Sequence, residues 1–125
     1  VALSERIHWI QGDALKLRDA PIYDQLRGRP YTHEVVDVPP VYAHDGASSS
    51  FWAGLGALTI GDGALLVVNS WYRLSAHGNK LRHDLLFAGW SEPHETQACD
   101  VDSKGLSACN SIILARDWWP SNSFR

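Results

Sequence analysis

The sequence predicts an α+β domain, with an N-terminal helical segment packed on an antiparallel β-meander of four to five strands; a small all-β barrel is the alternative. Three observations carry this. Residues 51–60, 64–74 and 81–90 are apolar, aromatic-rich runs separated by Gly61-Asp62-Gly63 and by His77-Gly78-Asn79-Lys80, the short polar turns that join neighbouring strands. Leu3, Ile7, Ile10, Ala14 and Leu17 recur at three- and four-residue intervals, as on one face of a helix. Residues 31–38 alternate until Pro39-Pro40, where the missing amide ends a ladder.

Taken in order, the first segment reads as a helix over residues 3–17, with Ser4 and Glu5 at its start and Lys16 and Arg18 at its end, where the macrodipole favours them. Gly12-Asp13 interrupts it and permits a hairpin instead. Asp19-Ala20-Pro21 opens a short second helix that closes at Leu26-Arg27-Gly28. The strand at 31–38 places Thr32, Glu34, Val36 and Val38 on one side and Tyr31, His33, Val35 and Asp37 on the other. Residues 43–50, with Gly46 and three serines, form a loop.

The meander follows, its first turn a tight hairpin built on the positive φ of two glycines. In its middle strand Leu66, Val68, Ser70, Tyr72 and Leu74 share one face, and Leu65, Val67, Asn69, Trp71 and Arg73 the other. Both faces begin apolar, so this half is expected to be covered on both sides and a charge at Val67 to unfold it. His83 shares a strand face with Leu81, Leu85 and Phe87, which predicts a core position. Residues 91–111 read as polar and irregular, and residues 111–116 as a last strand.

Composition narrows the function. A chain of 125 residues is one domain, and its net charge of −3 with 20% charged residues lacks the basic footprint of a nucleic-acid binder. No apolar run approaches the roughly 20 residues of a membrane span. The chain starts at Val1 without a charged-then-apolar leader, so either a leader has been removed or this is a trimmed piece. Cys99 and Cys109 lie in a polar stretch, which predicts a disulfide stapling a loop, worth about 2.7 kcal/mol on the chain-entropy model, and an extracytoplasmic (periplasmic or secreted) location.

Few spacings carry chemistry. His33-Glu34 and His94-Glu95 pair an imidazole with a carboxylate, but neighbouring strand residues point apart, and no HxH, HExxH or CxxC is present. Asp100-Val101-Asp102-Ser103-Lys104-Gly105 resembles the opening of a calcium loop without its later acidic ligands. Ser48, Ser49 and Ser50 beside His44 and Asp45 lack a nucleophile elbow. No metal and no cofactor is expected.

Tryptophan is in excess, with six in a small domain. Trp118-Trp119-Pro120 follows the last strand with little chain left to cover it, so at least one indole is expected to face a partner. Trp118, Trp119, Trp52 and Tyr42 are the predicted binding residues. The expected function is a non-catalytic recognition module for a protein partner or a glycan. The alternatives are a small His/carboxylate enzyme using His33 or His94, with or without a metal, or a structural subunit of a pilus-type assembly, the last by analogy of layout.

Overall fold

The computed structural model describes residues 7–19, 21–37, 49–70, 72–76 and 79–120. Among them are three α-helices and a four-stranded mixed sheet that does not close into a barrel, an α+β arrangement. The elements run α1 (Ile22–Leu26), β1 (His33–Asp37), α2 (Ser49–Ala57), β2 (Leu65–Ser70), α3 (Leu81–Ala88), β3 (His94–Val101) and β4 (Ser107–Arg116). A 3-10 turn at Ala14–Lys16 precedes them, with Asp13 Oδ1 accepting from the Leu15 amide at 3.0 Å.

The sheet order is β1-β2-β4-β3, with β1 parallel to β2 and both other pairings antiparallel. β1, β2 and β3 therefore point the same way. The crossovers through α2 and α3 both advance in one direction across the sheet, and a common hand puts both helices on one face. That face is the core. Leu66, Val68, Ile113 and Ala115 meet Phe51, Trp52, Leu81 and Leu85 there, and Leu66, Trp52 and Trp90 are almost wholly buried. Each large side chain so buried contributes roughly 1.5–3 kcal/mol.

Two predicted strands are helices. Residues 51–57 belong to α2 and residues 81–88 to α3, so there is no meander, and Gly61-Asp62-Gly63 joins a helix to β2 instead of closing a hairpin. Its glycines do hold positive φ, 79° at Gly61 and 82° at Gly63. In α3, Leu81, Leu85 and Ala88 fall at helical spacing and are buried. Gly89, at φ 112°, ends that helix: its amide and that of Trp90 reach back to the carbonyls of Leu86 and Leu85, the paired bonds of a Schellman cap. Helical rotation carries His83 out of the core to solvent, where it stacks on exposed Phe87 at 6.0 Å.

Residues 7–13 carry no helix, and the predicted helix over residues 3–17 shrinks to the Ala14–Lys16 turn; residues 1–6 lie outside the described set. Leu15 still packs on the core. Residues 91–111 are far from irregular. β3 and β4 form a hairpin whose outer part, residues 98–110, is exposed throughout. Val67, on the face away from the helices, is only half-buried, which removes the reason to expect a charge there to unfold the domain.

Candidate functional site

β1 is an edge strand, and a cleft of about 950 Å³ lies along it. Glu34 and Val36 point to the core side and Val35 to the other, yet all three line the cleft. A space touching both faces of one strand straddles its open edge. Trp9 and Ile10, Leu55 near the end of α2 and Leu58 just past it, and Arg29 and Tyr31 ahead of β1 also line it. Trp9 is 90% exposed, the most open large apolar residue described.

Glu34 is the chemical anomaly of this region. Its Oε1 is cut off from water and has no hydrogen-bond partner among the described residues. Burial alone pushes its pKa up to about 8, so near neutrality the carboxyl is largely protonated. An unpartnered carboxyl beside a cleft of mixed polar and apolar lining can donate a hydrogen bond, exchange a proton or pair with an incoming cation.

The opposite edge holds the contrasting case. Glu95 on β3 shares the core-facing side with Glu34, because Val36, Val68, Ile113 and Glu95 lie in register across the sheet. It accepts from the Leu74 amide and from Arg73, at 3.2 Å to Nη2, and Ser111 also bonds to it. The Leu74 amide above all, then Ser111 and Arg73, hold its pKa below the usual carboxylate value.

The predicted site residues do not gather. Trp118 is half-buried, its Nε1 donating to the Ala88 carbonyl at 2.7 Å, and its ring lies where a Cβ on Gly56 would stand, 2.2 Å from Cδ1. It is locked between α2 and α3. Trp119 is 50% exposed, as expected for one of the pair. Trp52 is fully buried in the core and offers no surface, while its carbonyl accepts from Trp90 Nε1 at 3.0 Å. Tyr42 lies outside the described residues.

Cys99 and Cys109 form the predicted disulfide, directly opposite each other in the β3–β4 ladder with Cα atoms 4.0 Å apart. Instead of stapling a loop to the sheet, it staples the exposed arm to itself. At the arm's tip Asp102 Oδ1 accepts from the amides of Lys104 and Leu106, both at 2.9 Å, so this aspartate serves a turn.

His33 and His94 occupy the two edge strands, three strand spacings apart and two residues out of register, roughly 16 Å in all. His44 lies outside the described residues. Among the described residues no three His, Cys, Asp or Glu side chains come together as a metal site would require.

The sequence places Glu34 and Val36 on one strand face and marks Glu34 only as the neighbour of His33, while Trp9 stands out only as one of six tryptophans. An acidic residue alternating with valine was the available signal for an inward-facing carboxylate. No family model, no curated protein and no solved structure matches the chain.

Proposed function

We propose that this chain is a non-catalytic recognition module that holds its ligand in the cleft along β1. The observation that carries the reading is a cleft of about 950 Å³ joining the open indole of Trp9 to an unpartnered carboxyl on Glu34. Ligand sites combine apolar walls with a few unsatisfied polar groups, and exposed aromatics supply contact area at small entropic cost. The partner is a protein segment or a glycan. The Cys99–Cys109 bridge supports an oxidising, extracytoplasmic setting.

The recognition surface therefore moves from Trp118 and Trp119 to Trp9 and Glu34. Arrays of peptides and of glycans, probed with the wild type and with Trp9→Ala, Glu34→Gln and Trp119→Ala, test this. The first two variants should lose about tenfold or more in apparent affinity with native far-UV spectra, and the third should bind as before. A ligand held equally well without Trp9 and without the Glu34 carboxyl would sink the reading.

A further inference from the structure

The cleft runs beside β1, an edge strand of the sheet. The space, about 950 Å³, is lined by three consecutive residues of that strand, Glu34, Val35 and Val36, which alternate between its two faces. β1 pairs only with β2, and its other side presents backbone donors and acceptors without a ladder partner among the described residues. On an added strand, the residue directly opposite Glu34 would point to the same face, with Cβ atoms about 5 Å apart. A cation at that position would supply the partner that Glu34 Oε1, buried, lacks among the described residues, once the carboxyl gives up its proton. The residues opposite Val35 and Val36 would meet apolar side chains.

We infer that the ligand is an extended peptide segment of a partner protein that adds to β1 as a fifth strand and places an arginine or lysine opposite Glu34. This rests on the cleft being the binding site and names its occupant. Ladder bonds supply affinity, and the buried ion pair supplies register and choice of residue. Arginine suits the position better than lysine, since its fork meets a carboxylate with two parallel bonds. His8, Arg29 and Tyr31 are the other titratable groups lining the cleft. Leu55 from α2 and Leu58 just past it, which also line it, carry no charge.

Binding such a cation requires Glu34 to give up its proton, so association releases one proton to buffer near neutrality. With the carboxyl at about 8, the ionised fraction and hence the affinity should rise roughly 30-fold between about pH 6.5 and about pH 9.

The probe is acetyl-Thr-Arg-Val-Val-Thr-amide, titrated calorimetrically into the full chain, beside versions with Gln, Glu or Lys replacing Arg and one with alternate amides N-methylated. Expected are affinities for the Arg peptide at least tenfold above the Gln and Glu peptides, loss of binding on N-methylation, and the pH rise in wild type but not in Glu34→Gln. A pH rise that persists in Glu34→Gln belongs to another cleft group and overturns the inference. Equal binding of the Arg and Gln peptides does the same while leaving the cleft as a site. Glycan binding with no peptide binding also overturns it, as does a concentration-dependent dimer in which a second copy's β1 takes the edge. Failure of every peptide and every glycan rejects the cleft itself.

Discussion

The two edges of the sheet carry the same dipeptide in opposite circumstances. His33-Glu34 stands on β1 and His94-Glu95 on β3, and in each the imidazole faces out and the carboxylate faces the core side. At β3 the segment leading toward α3 closes over the carboxylate, and Leu74, Arg73 and Ser111 bond to it. At β1 the Glu34 Oε1 is also buried but no described group bonds to it, and a cleft runs beside the strand. An inward charge on an edge strand deters pairing with strangers, and it does so only while it lacks a match. The bonded carboxylate serves stability, and the carboxyl without a partner among the described residues marks the edge that the proposed strand would join.

The largest expected effect tests the bonded carboxylate. Glu95→Ala orphans the Leu74 amide and frees Arg73, and hydrogen bonds to a charged group are worth about 1.5–3 kcal/mol. Because Arg73 is 64% exposed, most of that loss belongs to the Leu74 bond. Urea denaturation at neutral pH should show a fall of about 2 kcal/mol. The wild-type acid limb should weaken in the variant: a carboxylate with a lowered folded pKa contributes stability above its unfolded value near 4.5, lost as pH falls through the folded one.

Glu34→Gln should act in the other direction. The folded state holds the Glu34 proton up to about 8 while the unfolded chain releases it near 4.5, so stability is fully present below 4.5, declines as pH rises and levels off beyond about 8. After allowance for solvent screening the decline amounts to about 2 kcal/mol. Glutamine carries no such titration. Thermal melts from pH 5 to 9 should slope in wild type and run flat in the variant; a slope unchanged by the substitution would dissolve the contrast between the edges.

What could be read in advance follows from how local each determinant is. β1 showed in its alternation and its closing prolines, α1 in its flanking Pro21 and Gly28, and the disulfide in two cysteines stranded among polar residues. The second helix was obscured by Gly54 and Gly56. Gly56 is there for a ring sixty-two residues on in sequence, that of Trp118, which no local pattern reveals. For α3 the signal was present: Leu81, Leu85 and Ala88 keep helical spacing and Gly89 follows, but a short apolar run between turns also fits a strand. The cleft was illegible because its walls come from residues 7 to 58, and Glu34 is unusual only in that company.

A smaller effect concerns the arm beyond the β3 edge. Residues 98–110 send nothing into the core, so reducing Cys99–Cys109 should free the arm without unfolding the domain. Amide exchange across residues 98–109 should quicken at least tenfold, while global stability changes by less than about 1 kcal/mol, below the 2.7 kcal/mol that loop entropy alone assigns. A global loss near the full entropic figure would show that the arm supports the core after all.

The smallest effect in stability bears most directly on the open edge. Trp9 is 90% exposed and its removal leaves no cavity, so Trp9→Ala should change stability by less than about 0.5 kcal/mol. An indole that does so little for the fold is either incidental or kept for contact. The two cases separate by combining substitutions. If Trp9 and Glu34 grip one peptide, the losses in binding free energy from Trp9→Ala and Glu34→Gln should fail to add, because a strand freed at one wall of the cleft shifts against the other. Simple additivity in the calorimetric affinities would mean that the indole and the carboxyl act on separate ligand groups, and the β1 edge would then be wider than one strand requires.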